Sequence, residues 1–466
     1  MSILSNVPYR LNESQRQTAE KLEQFVTHND HDVFIFSGYA GTGKTTMLRG
    51  LIGFLHEQKI DFYLMASTGR AAQVLSSKCG SLATTVHSTI YSFDDLEFNE
   101  KEKKRKLSFS LKKCKDEDAA IYIVDESSMI ADKENTNQAL LFENGKLLSH
   151  LFRYIGNRKV IFVGDPAQLP PVNSSFSAAL NLQYITDTYG KRVTETHLTQ
   201  IMRYNDQSGI SWNGSQLRSN IVEQNYPPLS LKASGYPDIS VMRNFTELIR
   251  NYINKIKSSG LDSAIIIAYT NKMAFDLNNW TRQHLPDTDK VIVEGEWLQV
   301  VFNNHAYDLA NGQHITVKKI EPKAEYRAGI TFRKAVVLVN NGDEIKEMEV
   351  RIMEDLLYDK DPSLIEDKEH ALLADFFARM AKIGITQKHP SFVEYLRADE
   401  WLNAVRVKYG YVITCHKAQG GEWENVLIIP EYPLMHSPRE FQYRWMYTAV
   451  TRTSEKLYLM KNDMIY

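Results

Sequence analysis

Short runs that are apolar at nearly every position recur along the first half of the chain: DVFIFSG (32–38), DFYLMAS (61–67), AAIYIVDE (119–126) and KVIFVGD (159–165). Each is rich in β-branched or aromatic residues and ends in small or acidic ones. Runs without alternation suit strands buried on both faces, as in a parallel sheet. Between them lie stretches with helical spacing, such as KTTMLRGLIGFLHEQ (44–58). Strand followed by helix, repeated, predicts an α/β unit. The pattern returns in SAIIIAYTN (263–271), ENVLIIPE (424–431) and KLYLMK (456–461), which predicts a second α/β unit.

Two stretches break this rhythm. Residues 84–118 contain KEKKRKLSFSLKKCK (101–115), with eight basic side chains and one acid. They separate two strands of the first unit, so an inserted arm or hairpin is expected. Residues 293–405 hold HITVKKIE, KAVVLVNNGDE and KEMEVRIME, three short strand patterns, with Asn341-Gly342 suited to a tight hairpin turn. A small β-barrel is expected there. A helix follows it, with Leu372, Phe376, Met380 and Ile383 at the spacing of a core-facing stripe.

Composition adds mainly exclusions. The chain has 466 residues, 43% hydrophobic and 24% charged, enough for several cores in an ordinary soluble protein. The formal net charge of −2 rules out attraction of a polyanion by the whole molecule, so any nucleic-acid surface must be local. Three widely spaced cysteines, Cys79, Cys114 and Cys415, argue against a disulfide framework or a zinc site and suit a reducing compartment. The opening residues show no apolar secretory core, and no apolar run reaches membrane-spanning length.

The chemistry begins at GYAGTGKT, Gly38 to Thr45, a complete P-loop pattern between an apolar strand and a helix. Gly38, Gly41 and Gly43 let the backbone curl until successive N–H groups face phosphate oxygens, and the helix N-terminus adds partial positive charge. Lys44 is placed for the β/γ phosphates, Thr45 for Mg²⁺, and Thr46 for the same phosphate cradle. In IYIVDESSM, Asp125 and Glu126 end a buried strand, as a metal-shell carboxylate and a water-activating carboxylate would. Such a pair is common at strand ends; sharing a sheet with a P-loop gives it weight. Together they predict a nucleoside triphosphatase. TCHKAQGGEWE (414–424) is open on its own terms to a nucleophile, a metal site, a phosphate loop or a polar turn.

An ordered series of further segments narrows the class: LNESQRQTA (11–19), ASTGRAA (66–72), TTVHS (84–88), GDPAQLPPV (164–172), LTQIMRY (198–204), TCHKAQGGEWE and MYTAVTRTSEKL (446–457). With the P-loop, this set resembles the superfamily 1 helicases, in particular the 5′→3′ DNA helicases of superfamily 1B that include Dda-like and RecD-like proteins. The resemblance spans nearly the whole chain. It implies two RecA-like domains, 1A (1–83 and 119–195) and 2A (196–292 and 406–466). It also implies a 1B pin or arm (84–118) and an SH3-like 2B barrel with a helical extension (293–405).

The family pattern further implies that Gln15 reads the adenine edge and Gln168 couples the γ-phosphate to DNA. It implies that Arg203 and Arg452 act as arginine fingers when the cleft closes, and that Glu422 reaches the nucleotide sugar. Single-stranded DNA would cross Thr68, Arg70, Thr85 and His87 on the first domain. On the second it would cross Thr270, Asn271, Thr414, His416 and Gln419, with Gly420 and Gly421 letting the backbone approach. Phe93 or Phe98 would be the apolar pin tip. The implied activity is ATP- and Mg²⁺-dependent unwinding of DNA during phage-type replication or recombination. The alternatives are a translocase that strips bound proteins or a RecD-like subunit of a larger helicase-nuclease complex. The implied partners are single-stranded DNA, its junctions with duplex, and a single-stranded-DNA-binding protein or replisome. A monomer in the cytoplasm is expected, the host's if the gene is a phage's, without membrane contact.

Overall fold

The computed structural model describes residues 2–7, 10–99, 104–133, 140–141, 146–202, 207–285, 291–304, 306–340, 344–360 and 363–466; the side chains of 93–99, 104–109, 140–141 and 363–367 are left aside. Arg203 and the Asn341-Gly342 turn lie outside the described residues, and of Phe93 and Phe98 only the backbone is described.

The four apolar runs of the first half form the inner strands of a six-stranded parallel sheet, with Ala83–Thr85 and Val193–Leu198 as its edges. Its spatial order is Ala83–Thr85, Phe62–Ala66, Ile121–Asp125, Lys159–Gly164, Val33–Gly38, Val193–Leu198. The continuous apolar reading has a direct cause: every residue of Val33–Gly38 is buried, and helices cover both faces. Each fully buried Phe, Ile or Val there contributes about 1.5–3 kcal/mol relative to exposure. Because the strands are parallel, Gly38, Asp125 and Gly164 end at the same edge, where ligands of open α/β sheets bind.

The second parallel sheet runs Ile239–Met242, Thr453–Met460, Trp423–Ile428, Ala264–Ala268, Val412–Thr414. The third is antiparallel and strongly curled: Glu325–Arg327, Ile330–Asn340, His314–Ile320, Trp297–Val300 and Val407–Tyr409, with Ile345–Met353 along the outer side of Ile330–Asn340. The molecule thus combines two RecA-like parallel sheets with a barrel-like antiparallel one. The arm is a hairpin, Tyr91–Asn99 against Lys104–Leu111.

Several expected boundaries cut through elements. Ala83–Thr85 is the edge strand of the first sheet and Val193–Leu198 pairs along the whole P-loop strand, so 83/84 and 195/196 both fall inside strands. Likewise Val407–Tyr409, beyond 405, pairs with Trp297–Val300. The helix after the barrel, Ser363–Lys382, buries Leu372, Phe376 and Met380, whereas Ile383 lies past its end and is 58% exposed. The stripe was expected to include Ile383; the chain leaves the helix before that turn is complete. The same helix reaches the arm strand Lys104–Leu111. Among the described residues, no helix is long and apolar enough to cross a membrane.

Candidate functional site

The P-loop curls as its glycines require. Gly41 and Gly43 have φ of 77° and 90°, a region that favours glycine. A Cβ on Gly43 would come within 2.7 Å of the Gln15 amide nitrogen. Lys44 opens the helix Lys44–Gln58 and its ammonium folds back, donating to the carbonyls of Gly38 at 2.7 Å and Tyr39 at 3.1 Å. No carboxylate pairs with it among the described residues. Gln15 is 4% exposed. Its amide donates to the Thr42 carbonyl at 3.1 Å and accepts the Asn12 N–H at 3.1 Å, closing a helix capping box. The second amide hydrogen and the second lone pair of the oxygen are what Gln15 has left to offer an adenine edge.

Asp125 ends its strand beside Thr45's loop, and Glu126 follows in left-handed backbone at φ 50°, an uncommon conformation for a glutamate. Burial, then the neighbouring Glu126 charge, pushes the Asp125 carboxyl up to about 7, against the pull of the Glu126 N–H and Lys44. A half-buried carboxyl whose anion is disfavoured by its surroundings fits a site completed by a cation. Among the described residues no cluster of three His, Cys, Asp or Glu side chains could hold a metal. Thr45, Asp125 and nucleotide phosphates together are what Mg²⁺ would use.

The loop after Gly164 is the hub. Asp165, 1% exposed, accepts the Ala167 N–H at 2.9 Å and the Gln168 amide at 3.5 Å. The second unit clamps this loop. The Tyr447 hydroxyl donates to Asp165 Oδ2 at 2.8 Å and accepts the Ala40 N–H of the P-loop at 3.2 Å. Thr448 Oγ1 accepts the Leu169 N–H at 3.0 Å, Gln419 donates to the Leu169 carbonyl at 2.9 Å, and Arg444 donates to the Pro166 carbonyl at 2.7 Å. Gln168 is 2% exposed, with its side-chain oxygen buried and unpartnered. Arg452, 6% exposed, is held by the Thr448 and Gly421 carbonyls and the Thr451 hydroxyl, with no carboxylate beside it among the described residues.

The residues expected along DNA divide. Thr68, Thr85 and Thr270 cap the helices that start at the carboxyl ends of strands, each accepting an N–H in the first turn. Thr270 also donates to Glu431 at 2.7 Å, and Asn271 beside it is exposed. Thr414 takes the same N-cap position and is buried. His87 is only partly exposed, and burial holds its imidazole down to about 4, neutral at pH 7.

Two of these residues lie in the seam between the units. Gln419 has no exposed surface and bonds the Leu169 loop. Arg70 is 8% exposed and pairs with Asp262 of the second unit at 2.8 Å. Glu422 pairs with Lys78 across the same seam at 2.9 Å. Cys415 is buried and its thiol pushed up by burial, which removes the nucleophile reading. His416 is partly buried, its imidazole pulled down for the same reason. Tyr447, Asp165, Arg444 and Asp262 were given no role from sequence. Tyr447 and Asp165 stand inside quoted motifs, but their contact joins residues 282 apart in the chain.

Fold and site define the class: a P-loop nucleoside triphosphatase with two RecA-like units that meet at the phosphate loop. A family model described as an AAA domain matches residues 10–225, and one described as the UvrD-like helicase C-terminal domain matches 409–460. These matches support a superfamily 1B DNA helicase similar to Dda and RecD. It is 26% identical to the ATP-dependent DNA helicase dda of Enterobacteria phage T4, covering 95% of this chain and 97% of that one. It is 24% identical to the RecBCD enzyme subunit RecD of Buchnera aphidicola subsp. Schizaphis graminum, covering 99% and 75%. A Pif1 helicase from Candida albicans shares the fold, with a TM-score of 0.50 and 14% identity over 98% of this chain and 95% of that one.

Proposed function

We propose that the chain binds ATP with Mg²⁺ between its two parallel-sheet units. Hydrolysis would then drive it 5′→3′ along single-stranded DNA, parting duplex ahead of it. One observation carries most weight: the Tyr447 hydroxyl of the second unit bonds both the P-loop N–H of Ala40 and the buried Asp165. A change at the phosphate loop would thereby reach the helix Arg439–Val450, which carries Tyr447, directly. Mg²⁺, when bound, would neutralise phosphate charge. The chain's own groups would do the rest: Lys44 and the loop N–H groups hold the phosphates, Glu126 orients water, and Arg452 approaches as the units close. Closure would shift the strand-end surfaces carrying Thr68 and Asn271 relative to each other, which is translocation if each grips DNA in turn. Direction is taken from the likeness to the superfamily 1B proteins. The cytoplasm, a monomeric state and a single-stranded-DNA-binding protein or replisome as partner belong to the same proposal.

The test is unwinding of matched duplexes carrying only a 5′ or only a 3′ single-stranded tail. Unwinding of the 5′-tailed substrate alone supports the reading; preference for the 3′ tail overturns the direction. Stripping of a bound protein with little strand separation points instead to a protein-displacing translocase. A second expectation concerns the arm, whose strand places Phe98 opposite Arg105 close to the hairpin tip. Phe98→Ala should lose most unwinding, since base stacking is worth about 1–3 kcal/mol, while DNA-stimulated hydrolysis persists. Normal strand separation by that variant removes Phe98 as the pin, leaving Phe93.

A further inference from the structure

Arg218 lies on the helix Gly209–Val222 of the second unit and belongs to none of the motifs above. Its guanidinium sits over the ring of Tyr39, 4.5 Å from the centroid. Tyr39 is a P-loop residue, and its carbonyl is one of the two that hold the Lys44 ammonium. The Nη1 atom of Arg218 is buried without a hydrogen-bond partner, and no described carboxylate forms an ion pair with the side chain. A guanidinium with one nitrogen buried against an aromatic face and no acceptor for it among the described residues is poorly satisfied, because its fork suits oxyanions far better than a ring. Its helix is also well placed. Gly214, one turn before Arg218 and on the same face, abuts Thr451: a Cβ on Gly214 would lie 3.7 Å from Thr451 Cγ2. Arg218 and Arg452 therefore come from adjoining elements, and Arg218 reaches the P-loop. The charge of Arg218 is felt by Tyr39 and Tyr447, and by His197 together with that of Lys44.

We propose that Arg218 is a further phosphate-contacting arginine, delivered across the cleft by the second unit, and that Tyr39 holds it until a nucleotide triphosphate enters. On binding, the guanidinium would exchange the Tyr39 face for terminal phosphate oxygens, adding a second cation from the second unit to that of Arg452. The proposal rests on the ATP-hydrolysing reading above and adds a residue to it.

The test compares wild type, Arg218→Gln, Arg218→Lys and Lys44→Ala with saturating oligothymidine. Arg218→Gln should lower kcat for ATP hydrolysis by about 10²-fold or more with little change in KM. Affinity for ADP–aluminium fluoride, which mimics the transferring phosphoryl group, should fall by a similar factor while affinity for ADP alone holds. Arg218→Lys should recover little, since a point charge does not reproduce the fork. A kcat within about threefold of wild type overturns the proposal. So does an equal loss of ADP and ADP–aluminium fluoride binding, which is what mere support of the loop would give. If Arg218→Gln fails to fold, judged by its thermal midpoint, Arg218→Lys carries the same two readouts. If wild type and Lys44→Ala hydrolyse ATP equally, the site reading itself fails, an outcome distinct from a normal Arg218 variant beside an inactive Lys44→Ala.

Discussion

Lys44→Ala is expected to abolish DNA-stimulated ATP hydrolysis and strand separation together, lowering kcat by about 10³-fold or more, or about 4 kcal/mol of transition-state stabilisation. The structure explains why one side chain should matter so much. The Lys44 ammonium is tied only to the Gly38 and Tyr39 carbonyls at 2.7 and 3.1 Å, neutral acceptors that a triphosphate outcompetes. In the proposed role it moves from those carbonyls to the β/γ phosphates and carries their charge through transfer. Removing it takes a donor from the Gly38 carbonyl, while the Tyr39 carbonyl keeps the Thr42 N–H and hydroxyl; the cost is about 1 kcal/mol of stability, so a small fall in thermal midpoint should accompany the loss of activity. ATP affinity and steady-state hydrolysis on oligothymidine measure the effect. A variant that still unwinds DNA with ATP would place the nucleotide elsewhere.

Arg452→Ala should act differently, sparing ATP affinity while lowering single-turnover hydrolysis by about 10³-fold, at the lower end for arginine fingers. The side chain is positioned before any nucleotide arrives, through the Thr448 and Gly421 carbonyls and the Thr451 hydroxyl. It is nearly buried yet has no counter-charge among the described residues, and a buried cation without an anion is costly unless an anion comes to it. Arg452→Lys should remain at least about 10²-fold impaired, because lysine keeps the charge but not the fork. Single-turnover hydrolysis within a few-fold of wild type for Arg452→Ala would remove Arg452 from the chemistry.

Much of the fold was legible in the chain for one physical reason: strands buried on both faces must be apolar throughout, and helices between them must not be. That placed the four inner strands of the first parallel sheet, three of the five strands of the second, and the P-loop with its flanking strand and helix; the short or polar strands Ala83–Thr85, Val193–Leu198, Ile239–Met242 and Val412–Thr414 carried no such run. It also located the antiparallel insert between 293 and 405, where alternation takes over. Boundaries were less legible. Thr85 and Leu198 end strands whose hydrogen-bond partners, Ala66 and Gly38, lie far away in sequence, so nothing local marks where the sheet stops. The seam contacts of Arg70 and Gln419 were illegible for a related reason. A polar residue inside a DNA-contacting segment reads the same whether its side chain points to solvent or into a domain seam, and only the positions of Asp262 and Leu169 distinguish the two.

The sequence by itself determined the elements that local spacing controls: the strands, the phosphate loop with its glycine conformations, the carboxylates at a strand end, and the order of segments that marks the helicase class. The tertiary structure alone decided what those elements do to one another. It joined Tyr447 to Asp165 and to the P-loop, turned Gln419 and Arg70 into the seam, and brought Arg218, from a helix with no motif, over Tyr39. Motif spacing encodes contacts within one loop or one strand end. Contacts across a cleft depend on how two separately folded sheets meet, which is set by packing over the whole interface and leaves no periodic trace in the chain.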